Sequence, residues 1–211
     1  MNTMSRTTIR SMIAAVGASV LMSGCASMNL SKDLAFPADG SRIGYRASLY
    51  ASPETQAFMV EGSRMGRSYR IPVGEALLPN AQRCLAGTFD GCDIVQNASA
   101  PEGAAYLIEL DFPEKGQIDI GLTSFSASPV TLSVRARVRT GDGKVIWEKT
   151  VKTTASAKSR WQIAAIMPIF GALGHDSAIV LAAEKSLQQS LQEIKDSILK
   201  DKELFVKVKV P

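Results

Sequence analysis

Apolar residues along this chain fall into three rhythms, and each predicts a different element. Between residues 104 and 153 they recur at every second position. Tyr106, Ile108, Leu110 and Phe112 alternate with Leu107, Glu109 and Asp111. Leu132, Val134, Ala136 and Val138 alternate with Arg135, Arg137 and Arg139, and Val145, Trp147, Lys149 and Val151 begin a return strand. Successive side chains on a strand point to opposite faces, so this pattern predicts strands with one packed and one wetter face. Pro113-Glu114-Lys115-Gly116 reads as a turn, Ile118, Ile120 and Leu122 continue the apolar face, and Gly141-Asp142-Gly143 reads as a hairpin turn. Together they predict a four-stranded antiparallel meander.

The second rhythm is helical. Leu77, Ala81, Cys84 and Thr88 predict a helix over 73–86, with Pro79 in its first turn or kinking it and Gly87 closing it. A turn at Asp90-Gly91 then leads into a strand over 92–95. Val180, Ala183, Leu187, Leu191, Ile194 and Ile198 form an amphipathic stripe opened by Asp176-Ser177, with Gln188, Glu193 and Lys195 toward water. Residues 42–50 and 56–61 have strand character, 62–70 read as a basic loop or strand edge, and 205–210 read as a final edge strand. The predicted class is α+β: an antiparallel sheet of about five to seven strands with two main helices packed on one face.

The third rhythm is no rhythm at all. Arg6 and Arg10 precede an uncharged apolar run, Met12 to Met22, which Ser23-Gly24-Cys25-Ala26 follows. This is the charge, apolar core and small-residue order of an export signal. The run is well short of the ~20 residues that cross a bilayer as a helix. Leu21-Met22-Ser23-Gly24-Cys25 resembles the lipobox of bacterial lipoproteins, with Met22 where that family usually has Leu. The resemblance implies a diacylglycerol (and a further acyl chain on the new amino group) on Cys25, and cleavage before it. Two or three acyl chains hold a protein stably on a membrane, whereas one is marginal. Ala26, not Asp, follows the Cys, which implies sorting to the outer membrane of a Gram-negative cell, on its periplasmic face. The rival reading is ordinary secretion with cleavage after Ala26. The domain plan is then a cleaved signal over 1–24, acylated Cys25 with a flexible tether over 25–40, and one α+β periplasmic domain over 41–211.

A second charge-free stretch, WQIAAIMPIFGALG over 161–174, is the most apolar part of the mature chain. It is also too short to span a bilayer. It reads either as a buried helical turn with a loop or as an exposed apolar loop. In the second case Trp161, Ile166, Met167 and Phe170 are the candidate partner or membrane contacts.

Charge and chemistry narrow the function. The formal net charge of +4 falls once the two leader arginines are removed, so nucleic acid is not an expected partner. The Arg135/Arg137/Arg139 row is a candidate basic surface, or a solvated strand face whose charges pair across strands. Cys84 and Cys92, an even pair in an oxidising compartment, are expected as a disulfide, with two reduced thiols as the alternative. His175 is the sole histidine; there is no nucleophile elbow, Walker motif, dinucleotide fingerprint or Cys/His cluster. The expectation is no enzyme, no catalytic residue, no cofactor and no metal.

Beyond the lipobox, IPVGEALLPNAQRCLAGTF, LSVRARVRTGDGKVIWEK and AAEKSLQQSLQEI are similar to segments of small envelope lipoproteins of Gram-negative bacteria, including auxiliary lipoproteins of transport and assembly systems. That resemblance implies an accessory or scaffolding role, with an envelope protein as partner and the membrane engaged through Cys25. The alternative is a lipid- or glycan-binding module, which would need an apolar cavity between sheet and long helix.

Overall fold

A computed structural model describes residues 28–38, 42–64, 67–99, 103–118, 129–157 and 168–206. The eight strands are β1 Ile43–Tyr50, β2 Val60–Arg64, β3 Arg67–Ile71, β4 Phe89–Ile94, β5 Tyr106–Asp111, β6 Gln117–Ile118, β7 Val130–Thr140 and β8 Val145–Ala155. The helices are α1 Pro53–Gln56, α2 Gly74–Leu85, α3 Pro168–Lys200 and α4 Glu203–Val206. The fold is α+β, as the sequence predicts, and α2 and α3 are its two main helices.

The sheet is built around β7. β8 pairs with it antiparallel along nearly its whole length, from Val130↔Ala155 to Arg139↔Val145. On its other edge β5 and β6 lie end to end, both antiparallel to β7. The turn at 113–116 therefore does not fold one strand back on the other. It shifts the chain along a shared edge, and in doing so opens two branches: β1 and then β4 beyond β5, and β2 with β3 beyond β6. The sheet is mixed, not antiparallel as expected, because β1 pairs in parallel with both β4 and β5, and β2 pairs in parallel with β6. Parallel neighbours need crossover connections, and between β1 and β4 the crossover carries α2.

Several local expectations are corrected. Asp90 and Gly91 sit inside β4. Ser52 caps α1, its side chain accepting from Thr55 N–H with Pro53 at the first turn, so a short helix precedes β2. Pro79 lies inside α2, well past its first turn. Asp176-Ser177 do not open the long helix, which starts at Pro168. Proline suits a first helical position, where no N–H is required. Phe205 falls in α4 and not in a strand, and 207–211 lie outside the described residues. The hairpin turn does form where expected, with Gly143 at φ +82°, a conformation glycine adopts without strain.

One sheet face is sealed by α2 and α3. Val130, Leu132, Val134, Ala136 and Val138 of β7 are all 0% exposed, beneath Ile179, Ala182, Ala183, Leu187, Leu191, Ile194 and Ile198 of α3. Along the β8 border the helix is fixed by polar contacts. Thr153 Oγ1 lies 2.8 Å from Ser186 Oγ and 2.7 Å from Ser190 Oγ, and Trp147 Nε1 donates to Asp201 at 3.0 Å. Such directional bonds fix how far along the sheet the helix sits, which apolar contact alone does not.

Candidate functional site

Three features bear on function: the segment that follows the lipobox, the outer sheet face, and the two cysteines.

Residues 28–38 lie in the groove between α2 and α3. Leu30 is buried, and Met28, Leu34 and Phe36 pack against the core. Asn80, 0% exposed on α2, engages the segment much as a neighbouring strand would. Its Nδ2 donates to Ser31 O at 2.9 Å and its Oδ1 accepts from Leu34 N–H at 2.9 Å. From α3, Glu184 accepts from Ser31 N–H at 2.8 Å, and Gln188 donates to Ala35 O. Lys195, 2% exposed, donates its ammonium to Pro37 O at 2.9 Å. Exposed ion pairs Lys32–Glu75 and Arg83–Asp33 line the α2 side. The expected flexible tether is therefore, over 28–38, a docked part of the domain. Lys195 is likewise corrected from a water-facing position. It falls four residues after Leu191 and three before Ile198, within the core stripe. The sequence carries a signal for the docked segment too, since its large apolar residues, 28, 30, 34 and 36, are all even-numbered, as an extended chain with one buried side requires.

On the outer face the basic row is neutralised. Register places Glu109 opposite Arg137 and Asp111 opposite Arg135. Arg135 grips Asp111 with two bonds, Nε–Oδ1 at 2.9 Å and Nη2–Oδ2 at 2.7 Å, and Arg137 reaches the same carboxylate at 2.9 Å. Arg139 pairs with Glu109 at 3.1 Å, and Glu148 of β8 approaches Arg135 at 3.9 Å. The bond to Asp111 pushes the Arg135 pKa upward, so its charge is fixed at any physiological pH. The row is a cross-strand charge lattice in which each arginine has a carboxylate partner. Ser48 Oγ and Ser133 Oγ are buried on the same face with no hydrogen-bond partner among the described residues.

Cys84 and Cys92 are both buried, and they are not joined. The expected disulfide is not present in this structure. Cys84 Sγ points from α2 to Leu191 O of α3 at 3.5 Å. Cys92 belongs to β4, its carbonyl held by Gln82 Nε2 at 2.8 Å. Burial, with Asp93 beside it, pushes the Cys92 thiol up to about 12 from an ordinary 9.0, so it stays protonated and unreactive.

The remaining candidates fall mostly beyond description. Cys25, Trp161, Ile166 and Met167 lie outside the described residues; Phe170 belongs to the first turn of α3, and the helix backbone runs through His175. Among the described residues, no group of three His, Cys, Asp or Glu could hold a metal, and no helix is long and apolar enough to cross a membrane. Two open depressions of about 280 and 340 Å³ flank Glu61, one toward Tyr69 and Arg70, the other toward Gly116 and Gln117. The space beneath α3, where the alternative lipid- or glycan-binding reading would place a cavity, is lined by the buried apolar side chains named above.

The architecture thus defines an α+β domain with a helix-covered mixed sheet. No family model matches the chain, and no curated protein matches it. Among solved structures it is similar to a Helicobacter pylori protein described as a neuraminyllactose-binding hemagglutinin homolog, at 11% identity and TM-score 0.49, covering 85% of this chain and 97% of that one. It is also similar to a protein assigned as a lipoprotein in Caulobacter crescentus, at 15% identity and TM-score 0.39, covering 62% and 83%. A minor lipoprotein from Acinetobacter baumannii shares 13% identity at TM-score 0.39, covering 76% and 95%. At these scores the likenesses carry no function across to this chain.

Proposed function

We propose that this protein is a lipid-anchored envelope protein, acylated at Cys25 and placed on the periplasmic face of the outer membrane, where its domain serves as a non-catalytic accessory or scaffold for an envelope protein complex. The observation that carries this reading is the docked segment. A lipobox-like Cys25 stands only three residues before Met28, whose side chain already packs on the domain core. The stretch between anchor and domain is thereby shortened to Ala26 and Ser27, which limits how far the domain can stand from the membrane. That suits a part that positions a partner better than one that searches for a diffusing substrate.

The test is co-purification from native envelopes after crosslinking, comparing wild type with Cys25→Ala. The expected result is palmitate labelling that depends on Cys25, recovery in the outer-membrane fraction, and one protein partner lost from the Cys25→Ala sample. Unchanged membrane attachment of Cys25→Ala would sink the anchoring reading. Catalytic turnover by the purified protein, or retention of lipid or glycan without a protein partner, would sink the scaffold reading.

A further inference from the structure

We infer that the N-terminal turns of α3 lie in the membrane interface beside the acylated cysteine, so that the domain stands on the bilayer on this helix end; the inference rests on lipidation of Cys25 proposed above. The first observation is direction. The docked segment runs along α3 in the same sense as the helix: Ser31 meets Glu184, Ala35 meets Gln188, and Pro37 meets Lys195. Followed backwards, the chain travels toward the start of α3. Two residues, Ala26 and Ser27, separate Met28 from Cys25, so three chain steps give a reach of at most ~11 Å. From Glu184 to the C-terminal end of α3 at Lys200 is about 24 Å along the axis, in the opposite direction. The acyl chains therefore leave the molecule closer to the N-terminal end of this helix than to its C-terminal end.

The second observation is chemical, and independent of the first. α3 is 33 residues long, and its charge is concentrated on the C-terminal side of its midpoint. From Pro168 through Ala183 the only Asp, Glu, Lys or Arg is Asp176, and residues 168–174 have none. From Glu184 onward come Lys185, Glu193, Lys195, Asp196 and Lys200, followed by Asp201 and Lys202. Leu181, at the boundary, is 39% exposed. An uncharged helix end beside two or three acyl chains meets headgroups and the upper acyl region at little desolvation cost, since apolar helix surface inserts about 5–10 Å into that boundary. The charged end stays in water. The occupant of this surface is a phospholipid bilayer, not a partner chain.

The experiment uses the full lipidated protein in vesicles of phosphatidylethanolamine and phosphatidylglycerol. An environment-sensitive fluorophore is attached at Ala172→Cys, and in a control protein at Lys202→Cys. The expected result is a blue-shifted emission at 172, quenched severalfold more by brominated acyl chains than the emission at 202. Amide exchange gives the same answer without a fluorophore. Residues 168–177 should slow on vesicles relative to Cys25→Ala protein without vesicles, while 196–202 should not change. Water-like emission at 172, or slowing no greater at 168–177 than at 196–202, with palmitate present on Cys25, would overturn the inference alone. Absence of palmitate from Cys25 would overturn the anchoring reading, and this inference with it.

Discussion

The two faces of β7 come from one alternating stretch of sequence, yet they are closed in different ways. The inner face is sealed by α3, and its five apolar residues from Val130 to Val138 are wholly buried. The outer face has no such helix among the described residues. It is closed by its neighbours in the sheet, with Asp111, Glu109 and Glu148 drawn over Arg135, Arg137 and Arg139. Apolar burial is large and non-directional, so it supplies stability without dictating which residues meet. Paired charges at partly exposed sites supply little energy, and here each carboxylate is shared between neighbouring arginines. A slip of one residue would set Glu109 and Asp111 on the face opposite the arginines and would carry the apolar residues of β5 out of the core as well. The difference teaches that the helix face makes the domain stable, while both faces together hold its register.

The sharpest way to break this comparison is to damage the inner face. Leu187 is 0% exposed in the middle of α3. Leu187→Ala should cost about 2–4 kcal/mol by denaturant unfolding, the usual cost of a buried large-to-small change. A loss below about 1 kcal/mol would mean that the helix does not carry the stability assigned to it.

The docked segment should be the next most sensitive. Lys195→Ala leaves Pro37 O without its buried donor, and should cost about 1.5–3 kcal/mol, the range for a hydrogen bond to a charged group. The same variant should speed amide exchange at Ser31 and Leu34 more than in the centre of β7. Uniform acceleration across both would show that the segment is not separately held by this side chain.

How much of this was legible in the sequence follows the same division. The strands β5, β7 and β8 were legible because period-two alternation reports a sheet with one buried face, and the core stripe of α3 was legible for the corresponding helical reason. The Glu109/Asp111 and Arg135/Arg137 pairing was half legible: alternation put all four residues on one face, and only register shows which carboxylate meets which guanidinium. The parallel neighbours of β1 were not, because pairing partners so far apart in sequence leave no local trace. Lys195 and Asn80 were missed because a polar side chain within an apolar stripe is usually read as water-facing; here a passing backbone supplies each with a partner. The cysteine pair misled because proximity in sequence says nothing about where two side chains point. The start of α3 misled because Asp176-Ser177 has the chemistry of a cap without being one.

The outer face gives a smaller effect. Asp111→Asn should cost about 1 kcal/mol or less, as expected for a partly exposed ion pair. The cost should shrink as salt is raised, because screening already weakens the pair in the wild type. A double-mutant cycle with Arg135→Met isolates the coupling, and a cost that persists in high salt would mean that hydrogen-bond geometry, not charge, holds the lattice.

The smallest effect at neutral pH becomes the most informative above it. Cys92 sits on the inner face of β4 opposite Ala47, in the low-dielectric environment that the outer face lacks. Its folded pKa is raised to about 12, chiefly by burial and further by Asp93, against 9.0 for the unfolded chain. Below pH 9 the thiol is protonated in both states and does not make stability depend on pH. Between pH 9 and about 12 the unfolded chain releases this proton and the folded one keeps it. The unfolded state then binds fewer protons, so stability falls as pH rises through that window. Tyr106, raised to about 12 by burial and by Tyr45, adds to the loss only above its ordinary 10.0. Cys92→Ala should remove the earlier part of this decline. Whatever stability advantage wild type holds over Cys92→Ala at pH 7.5 should narrow steadily between pH 9 and 10, as read from denaturant midpoints in buffers of matched ionic strength. A gap that stays constant to pH 10 would show that the thiol ionises alike in both states, and that the inner face is wetter at β4 than its burial implies.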